Sequence, residues 1–175
     1  CWGLNDHGQI GDGTFKDALA PTLIKTFEDL DVSPQNISVG ARHTCAISQD
    51  GDLYCWGDNR FGQVDPTSDE TSFPNPTLVS PEERFVSVAA GDTHSCAIST
   101  RGELFCWGTG EQGQLGLGNL ERAETLKKVS TSRFLRLDAG PTHTCAISFE
   151  NQLYCWGDDL DGKLGNSAAS STNTP

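Results

Sequence analysis

Methionine is absent from this chain of 175 residues, and aromatic side chains account for only 8% of it. Hydrophobic residues reach 35%, and no apolar run is long enough to cross a bilayer or to form the core of a secretory leader. The sequence therefore predicts no membrane insertion. Because the chain opens inside a repeated motif, at Cys1-Trp2-Gly3, we expect any leader to lie upstream of it.

Basic residues are also scarce. The chain has 12 Lys and Arg against 24 Asp and Glu, which gives a formal net charge of −12 and an isoelectric point near 4.5. A nucleic-acid surface needs clustered Lys and Arg to displace counterions, so we predict no nucleic-acid partner. Acidic character commonly supplies solubility, and attraction of a basic protein partner is the alternative interpretation.

A tandem repeat dominates what is present. Three stretches of the form Gly-x-x-His-(Thr/Ser)-Cys-Ala-Ile-Ser pass through a turn and return as Leu-(Tyr/Phe)-Cys-Trp-Gly, at residues 40–57, 91–108 and 140–157. Residues 1–3 match the end of a fourth copy. A period of about 50 residues with strand-like content is typical of a propeller blade.

The two cysteines of each copy predict the register of a β-hairpin. Asp50-Gly51, Arg101-Gly102 and Glu150-Asn151 place Gly or Asn, which tolerate left-handed backbone, in a short turn midway between them. Such a turn sets Cys45 opposite Cys55. The same register pairs a small residue with a large one throughout, as in Ala46 with Tyr54 and Thr44 with Trp56.

Both faces of the predicted hairpin are apolar, because side chains alternate along a strand and the cysteine face also carries Ile47 and Leu53. A sheet that is buried on both sides fits a blade between neighbouring blades. We therefore predict an all-β fold, a partial β-propeller with about three complete four-stranded antiparallel blades plus fragments of two more.

We predict a single partial propeller domain at residues 1–175, which the repeat divides into blades. We predict the end of one blade and a linker at 1–20, blades at 21–73, 74–123 and 124–164, and the start of the next inter-blade loop at 165–175. Runs at 37–40, 85–90 and 134–139 are predicted as the strand before each hairpin, and runs at 22–24, 77–79 and 126–129 as the first strand of each blade. Further repeats are expected on both sides, since three blades do not close a ring and would leave apolar end faces.

The pattern Trp2-Gly3-Leu4-Asn5-Asp6-His7-Gly8-Gln9-Ile10-Gly11, with Gly-x-x-His-(Thr/Ser) ahead of later copies, resembles the regulator of chromosome condensation repeat. The resemblance extends over essentially the whole chain. It implies a seven-bladed propeller with roughly fifty residues per blade. Kelch repeats have a similar period, but their Gly-Gly doublet is absent.

Departures from the family pattern narrow what the resemblance implies. The founding member is a nuclear exchange factor for a small GTPase with special loops and a wedge-like insertion, and no insertion interrupts these repeats. The plant ultraviolet photoreceptors of the family carry tryptophan where this chain has Ala41, Asp92 and Pro141. Cysteine pairs within the blades look more like extracellular or periplasmic members.

Seven cysteines resolve into three pairs and Cys1, whose partner would lie upstream. The pairs are predicted to form structural disulfides (Cys45–Cys55, Cys96–Cys106 and Cys145–Cys155). Buried free thiols are the alternative, because cysteine packs like a small hydrophobic residue. Zinc is a poor fit, since two opposed strand positions offer two ligands and not four. Disulfides would indicate a secreted, cell-surface or periplasmic location.

Three recurring histidines and a group of acids have alternative interpretations. His43, His94 and His143 could form a ring around the axis that holds a metal, but we favour hydrogen bonds from each imidazole to backbone at a strand end. Asp158, Asp159 and Asp161 resemble part of a calcium loop, yet their spacing fits turn chemistry better. We predict no metal, no cofactor and no catalytic residue.

The sequence thus favours a non-enzymatic scaffold that binds a protein partner of unknown identity through inter-blade loops. Specificity is expected in the variable stretches 12–31, 65–84 and 117–132, because loops on a rigid frame carry recognition. Predicted contact residues are two aromatic and three acidic side chains: Phe61, Phe73, Asp65, Asp69 and Glu70. The alternatives are a guanine-nucleotide exchange factor for a small GTPase and a passive structural or adhesive array.

Overall fold

A computed structural model describes residues 1–166 and 170–175 of the chain. Residues 167–169, which belong to the predicted inter-blade loop 165–175, lie outside the described residues. Within the described part, no helix has the length and apolar character needed to cross a membrane.

Three antiparallel sheets follow one another along the chain, which confirms the predicted all-β partial propeller. The first sheet has the order β1-β2-β3-β4 and the second β5-β6-β7-β8, whereas the third contains three strands in the order β9-β10-β11. The strands are Pro34–Val39 (β1), His43–Ser48 (β2), Leu53–Asp58 (β3), Ser72–Leu78 (β4), Phe85–Ala90 (β5), His94–Ser99 (β6), Leu104–Gly108 (β7), Ala123–Lys128 (β8), Phe134–Ala139 (β9), His143–Ser148 (β10) and Leu153–Gly157 (β11).

The central hairpin of each sheet has the predicted register. Cys45 pairs with Cys55, Ala46 with Tyr54 and Thr44 with Trp56, and the other two hairpins repeat these pairs. The turns place Gly51, Gly102 and Asn151 at φ values of 85°, 80° and 59°. A left-handed backbone at this position explains why each copy has Gly or Asn there.

The predicted position of one strand was wrong. The runs at 77–79 and 126–129 were assigned to the start of a blade, but β4 pairs with β3 and β8 pairs with β7, as the outermost strand of the preceding sheet. The sheets therefore span 34–78, 85–128 and 134–157 and do not coincide with the blades predicted at 21–73, 74–123 and 124–164. A local apolar run carries no information on which neighbouring strand it will pair with, so the sequence could not distinguish the two arrangements.

The sheets pack on one another in chain order, so the middle sheet lies between the other two. The face with Cys45, Ile47 and Leu53 joins one hydrophobic cluster with Ala97 and Trp107 of the next sheet. All three predicted disulfides are present, with a Cα–Cα distance of 4.1 Å in each. Cysteine pairs and aromatic residues thus form a continuous core from blade to blade.

The two ends of the array leave apolar surface uncovered. At the N-terminal end, Trp2, Ile37 and Val39 are exposed, and at the C-terminal end Leu153 is exposed. Isolated bridges join Gly3 to Ala18 and Gly157 to Thr172, at the position of a fourth strand. These partial units agree with the predicted fragments of two more blades.

A short helix, Lys25–Asp29 (α1), was not predicted. Its Phe27 ring packs edge-on against Tyr54 at a centroid distance of 5.5 Å. In the later blades the corresponding aromatic pairs are Phe85 with Phe105 and Phe134 with Tyr154. Phe85 and Phe134 are the first residues of strands β5 and β9. Pro34 occupies that strand position in the first blade. The helix therefore supplies the aromatic ring that the strand lacks.

Candidate protein-binding rim

The antiparallel order of the strands sends two kinds of loop to one end of every sheet. The short turns 40–42, 91–93 and 140–142 lie there beside the long loops 4–17, 59–71 and 109–122. We call this end the loop rim. The opposite end, with the hairpin turns 49–52, 100–103 and 149–152, is the turn rim. Four of the five predicted contact residues therefore lie on the loop rim, namely Phe61, Asp65, Asp69 and Glu70.

A single carbonyl ties each long loop to the next blade. The backbone oxygen of Gln63 accepts a hydrogen bond from the Trp107 indole at 3.0 Å and another from the Ser95 hydroxyl at 2.7 Å. Gln9 does the same for Trp56 and Thr44, and Gln114 for Trp156 and Thr144. These bonds are buried or half-buried, so the base of each loop is held rigidly on its neighbour.

The histidines also connect blades, but not in the predicted way. Nε2 of His43 lies 2.9 Å from the Ser95 hydroxyl, and Nε2 of His94 lies 3.0 Å from the Thr144 hydroxyl. The expected partner was backbone, and this part of the prediction was wrong. A hydroxyl one repeat further along the chain becomes the partner because neighbouring sheets pack together, β2 on β5 and β6 on β9, which brings the first residues of the next hairpin within reach of the imidazole. We call His43, His94 and His143 the histidine ladder.

The Gly-x-x-His motif requires glycine at its first position for a steric reason. A Cβ on Gly91 would collide with the imidazole of His94, and one on Gly40 would collide with the carbonyl oxygen of Gly91. The adjacent short turns are also hydrogen-bonded to each other, from the Ala41 amide to the Gly91 oxygen at 3.3 Å. Only a residue without a side chain permits this approach.

Asn59 organises the long loop 59–71 of the first complete blade. Its amide oxygen accepts hydrogen bonds from the Val64 and Asp65 amides, and its nitrogen donates to the carbonyl oxygens of Asp65 and Glu70. Asn59 is buried, and Asn5 has a similar role in the first loop. The loop backbone is therefore preorganised, and its exposed side chains are presented on a fixed frame.

The loop rim carries the larger part of the chain's acidic side chains and fewer than half of its cations. The acids are Asp6, Asp12, Asp17, Asp58, Asp65, Asp69, Glu70, Asp92, Glu111, Glu121, Asp158, Asp159 and Asp161, and the cations are Lys16, Arg42, Arg60, Arg122 and Lys163. Two of these cations are engaged in ion pairs, Arg60 with Asp58 at 2.7 Å and Lys163 with Asp158 at 2.6 Å. The remaining surface of the rim is acidic.

The Asp58 carboxylate is held in its charged form. Burial alone would raise its pKa, but the hydrogen bonds and positive charge of Arg60 outweigh burial, so the pKa lies below the ordinary value. For Asp158, the hydrogen bond from Lys163 is the main reason that the pKa is lowered. Both carboxylates are therefore ionised at neutral pH.

The predicted contact residues are not equivalent in the structure. Phe61 is 40% exposed, and Asp69 and Glu70 are exposed. Asp65 is partly buried, and its carboxylate accepts hydrogen bonds from Thr67. Phe73 belongs to strand β4 and packs against the core, so it lies apart from the others as a half-buried residue. Their role in binding stays a prediction.

Several exposed apolar residues of the rim were not among the predicted contact residues, namely Leu4, Phe15, Leu120 and Leu160. On the outer strand, Ala18 pairs with Gly3 and Ala123 pairs with Gly108, the glycine that follows each tryptophan. Phe15 and Leu120 each lie three residues before that paired alanine, and both are exposed. Glu70 has the same place before Phe73. Alignment of the loops on the outer strand, and not on the Trp-Gly motif, would have revealed this common position.

Among residues 1–166 and 170–175, no group of three or more His, Cys, Asp or Glu side chains is arranged to hold a metal ion. Asp159 instead accepts a hydrogen bond from the Leu164 amide, and Asp158 accepts one from the Leu160 amide. This is the turn chemistry that the sequence indicated for these aspartates.

Known proteins share this repeat and this fold. The profile described as the regulator of chromosome condensation (RCC1) repeat matches residues 1–47, 50–98 and 101–147, and a second profile of the same description matches 35–63, 85–114 and 136–163. The ultraviolet-B receptor UVR8 of Arabidopsis thaliana is 38% identical over 122 residues, which cover 69% of this chain and 27% of the receptor. The chain thus spans about a quarter of that relative.

Solved propellers superpose well on the chain at low sequence identity. Human WBSCR16 gives a TM-score of 0.89 at 23% identity, covering 99% of this chain and 46% of that one. Prp20p of Saccharomyces cerevisiae gives 0.80 at 24% identity, covering 96% and 43%. Since the repeat profiles match most of the sequence and the sheets have the propeller arrangement, the chain belongs to the regulator of chromosome condensation (RCC1) repeat family.

Proposed function

We propose that this chain is part of a non-enzymatic protein-binding scaffold whose loop rim recognises a partner with a basic surface. The observation that carries the proposal is the acidic loop rim, which is fixed to a rigid frame by buried carbonyl, indole and hydroxyl groups. Charge complementarity of this kind steers association and sets specificity.

Exposed apolar groups on the same rim support a protein partner over a small cation. Phe15, Phe61 and Leu120 are exposed between the acidic side chains. Protein interfaces combine such apolar anchors with a charged surround. Relatives bind proteins as well: yeast RCC1 (Prp20) has been crystallised with Kap60 bound, and Prp20p has described binding properties to Gsp1p and histones.

We further propose an oxidising location, which is secreted, cell-surface or periplasmic. Three disulfides support it, because thiols are kept reduced in the cytosol. The intact mass after alkylation, with and without prior reduction, measures the thiol state of protein isolated from its source. Three bridged pairs are expected, and fully free thiols would favour a cytosolic role such as nucleotide exchange.

Charge reversal tests the rim directly. The double variant Asp69→Lys/Glu70→Lys changes two exposed acids whose side chains have no structural hydrogen bond on the described surface. The matched control, Glu82→Lys/Glu150→Lys, makes the same change in charge near the turn rim. Binding would be measured by fluorescence polarisation against a set of peptides of graded positive charge.

We expect the loop-rim variant to weaken binding of the basic peptides at least tenfold, about 1.4 kcal/mol, while the control stays within about twofold. Salt should weaken binding to the native chain, because the attraction is between exposed charges. Equal losses in both variants would reject the rim as the site, and no binding of any basic peptide would reject a basic partner. A passive array predicts this last result.

A further inference from the structure

The disulfides of this fold act within a blade, whereas the contacts between blades are non-covalent. Each disulfide closes a hairpin within one blade, and none of the three joins two blades. Between blades, the polar contacts include those of His43 and His94, those of the glutamine carbonyls and hydrogen bonds from backbone amides such as that of Ala41 to the Gly91 oxygen. Alongside the shared hydrophobic core, part of the contact between blades therefore comes from imidazoles, whose hydrogen bonds can change with pH.

The hydrogen bonds of Ser95 and Thr144 fix which ring nitrogen of His43 and of His94 carries the proton. The Ser95 hydroxyl has one proton, which it donates to the Gln63 carbonyl oxygen, since a carbonyl cannot donate. Ser95 must then accept from Nε2 of His43, so that ring carries its proton on Nε2. Thr144 donates to the Gln114 oxygen and accepts from His94 in the same way.

The other ring nitrogen has no partner. Nδ1 of His43, of His94 and of His143 is buried and makes no hydrogen bond in the described part of the chain. The Nδ1 and Cε1 edge of His94 faces the Gly91 backbone so closely that a Cβ there would collide with it. A proton added at Nδ1 would therefore create a buried cation with an unsatisfied donor, which is costly in a protein interior.

We propose that the histidine ladder is an acid-sensitive lock between blades: protonation of His43 and His94 separates neighbouring blades, while the disulfides keep each hairpin closed. The hydroxyls cannot release the lock by rotating, because their protons are held by the glutamine carbonyls. Loss of contact would also free the long loops, since the same carbonyls fix the loops to the next blade.

The surroundings of the ladder favour neutral rings. Burial lowers the pKa of His43 to about 4, against the opposing charge of Asp58, and burial with the neighbouring imidazoles of His43 and His143 lowers the pKa of His94 to about 3. His143 lies at the open end, where burial and Lys163 lower its pKa and Asp158 and Asp138 oppose them. No carboxylate is among the groups that act on His94.

The sign of the pH effect follows from these values. In the unfolded chain a histidine titrates near 6.5, above the folded values, so the unfolded chain binds more protons in between. The contribution of the ladder is complete above pH about 6.5. It is lost progressively as the pH falls from 6.5 toward the folded values of about 4 and about 3.

Nitrogen NMR of the native 175-residue chain tests the tautomer, and acid titration tests the lock. The titration follows tryptophan fluorescence with the disulfides intact, because Trp107 and Trp156 report contact between blades. The variant His43→Gln/His94→Gln keeps an N–H donor near the Nε2 position but cannot be protonated. His7→Gln is the control, since His7 is partly exposed and lies 3.7 Å from Asp6.

We expect proton-bearing Nε2 and bare Nδ1 in His43 and His94, and an acid midpoint that is lower by about one pH unit in the double variant and unchanged in His7→Gln. Equal midpoints in the native chain and the double variant would overturn the proposal. If the double variant fails to fold, the native chain still decides: a proton on Nδ1 of either ring at neutral pH, or titration of either ring near 6.5 without loss of tryptophan burial, would also overturn it.

Discussion

The second and third blades contain nearly the same hairpin in two different environments. Leu104 of the second blade is fully buried against the third, whereas Leu153, at the same position of the third blade, is 69% exposed. His94 is bonded to Thr144, whereas no hydroxyl of a following blade is present for His143 among the described residues. The strand register is thus set within each blade, whereas the burial of Leu104 and the hydrogen bond of His94 depend on the blade that follows.

The largest contrast is expected for the paired leucines. Leu104→Ala should destabilise the chain by about 2–5 kcal/mol, because it leaves a cavity in the core between blades. Leu153→Ala, the matched control, should change stability by less than about 0.5 kcal/mol, since its side chain is mostly in solvent. Urea unfolding followed by tryptophan fluorescence measures both. Similar losses would mean that the exposed face of β11 is covered in solution.

The disulfides should differ in accessibility. Cys96 and Cys106 are fully buried, whereas Cys145 and Cys155 are only partly buried. Dithiothreitol under native conditions should therefore reduce Cys145–Cys155 first, as mass spectrometry after alkylation would show. Replacement of either pair by alanine should cost about 2.5–3 kcal/mol through the closed loop alone, with a further loss at the buried pair. Simultaneous reduction of all bridges would contradict the difference in burial.

The Ser95 hydroxyl, which accepts from His43, should contribute more to stability than the equivalent hydroxyl of Thr44 in the first sheet. Ser95→Ala leaves Nε2–H of His43 without an acceptor and should cost about 1–3 kcal/mol. Thr44→Val removes only a donor to Gln9, whose oxygen keeps the Trp56 indole, and should cost about 1 kcal/mol. Thermal unfolding of the two variants, compared at pH 7, measures the difference.

The smallest effect on stability is expected on the rim. Phe61→Ser should change the free energy of unfolding by less than about 0.5 kcal/mol, because the ring is a partly exposed loop side chain. Phe73→Ser, in the half-buried strand position, should destabilise the chain more. If both variants bind basic peptides normally, neither aromatic ring contributes to recognition.

Local pattern was sufficient for the hairpin. The turn glycines and the alternation of side chains predicted the pairing of Cys45 with Cys55 and of Thr44 with Trp56, and both are confirmed. The register of a tight hairpin is set by a few adjacent residues, which is why sequence alone could determine it. The family resemblance is likewise confirmed by the matching repeat profiles.

Contacts between distant segments were beyond local pattern. The outer strands were assigned to the wrong sheet, the role of Phe27 was not foreseen, and the partner of His43 was expected in backbone and not in Ser95. The first two depend on contacts between separate segments of one blade, and the third depends on the packing of one blade on the next. Periodicity of side chains reports which faces are buried but not what covers them.

By itself the sequence determined the repeat, the hairpin with its cysteine pairs and the all-β architecture, since these follow from turn chemistry and from the alternation of apolar residues over a few positions. Only the tertiary structure decided the edge strand of each sheet, the tautomers of His43 and His94 and the contrast between Leu104 and Leu153. The edge strand depends on pairing between segments of one sheet that are distant in the sequence. The tautomers and the burial of the two leucines depend on how one sheet meets the next, and that contact exists only in the assembled array.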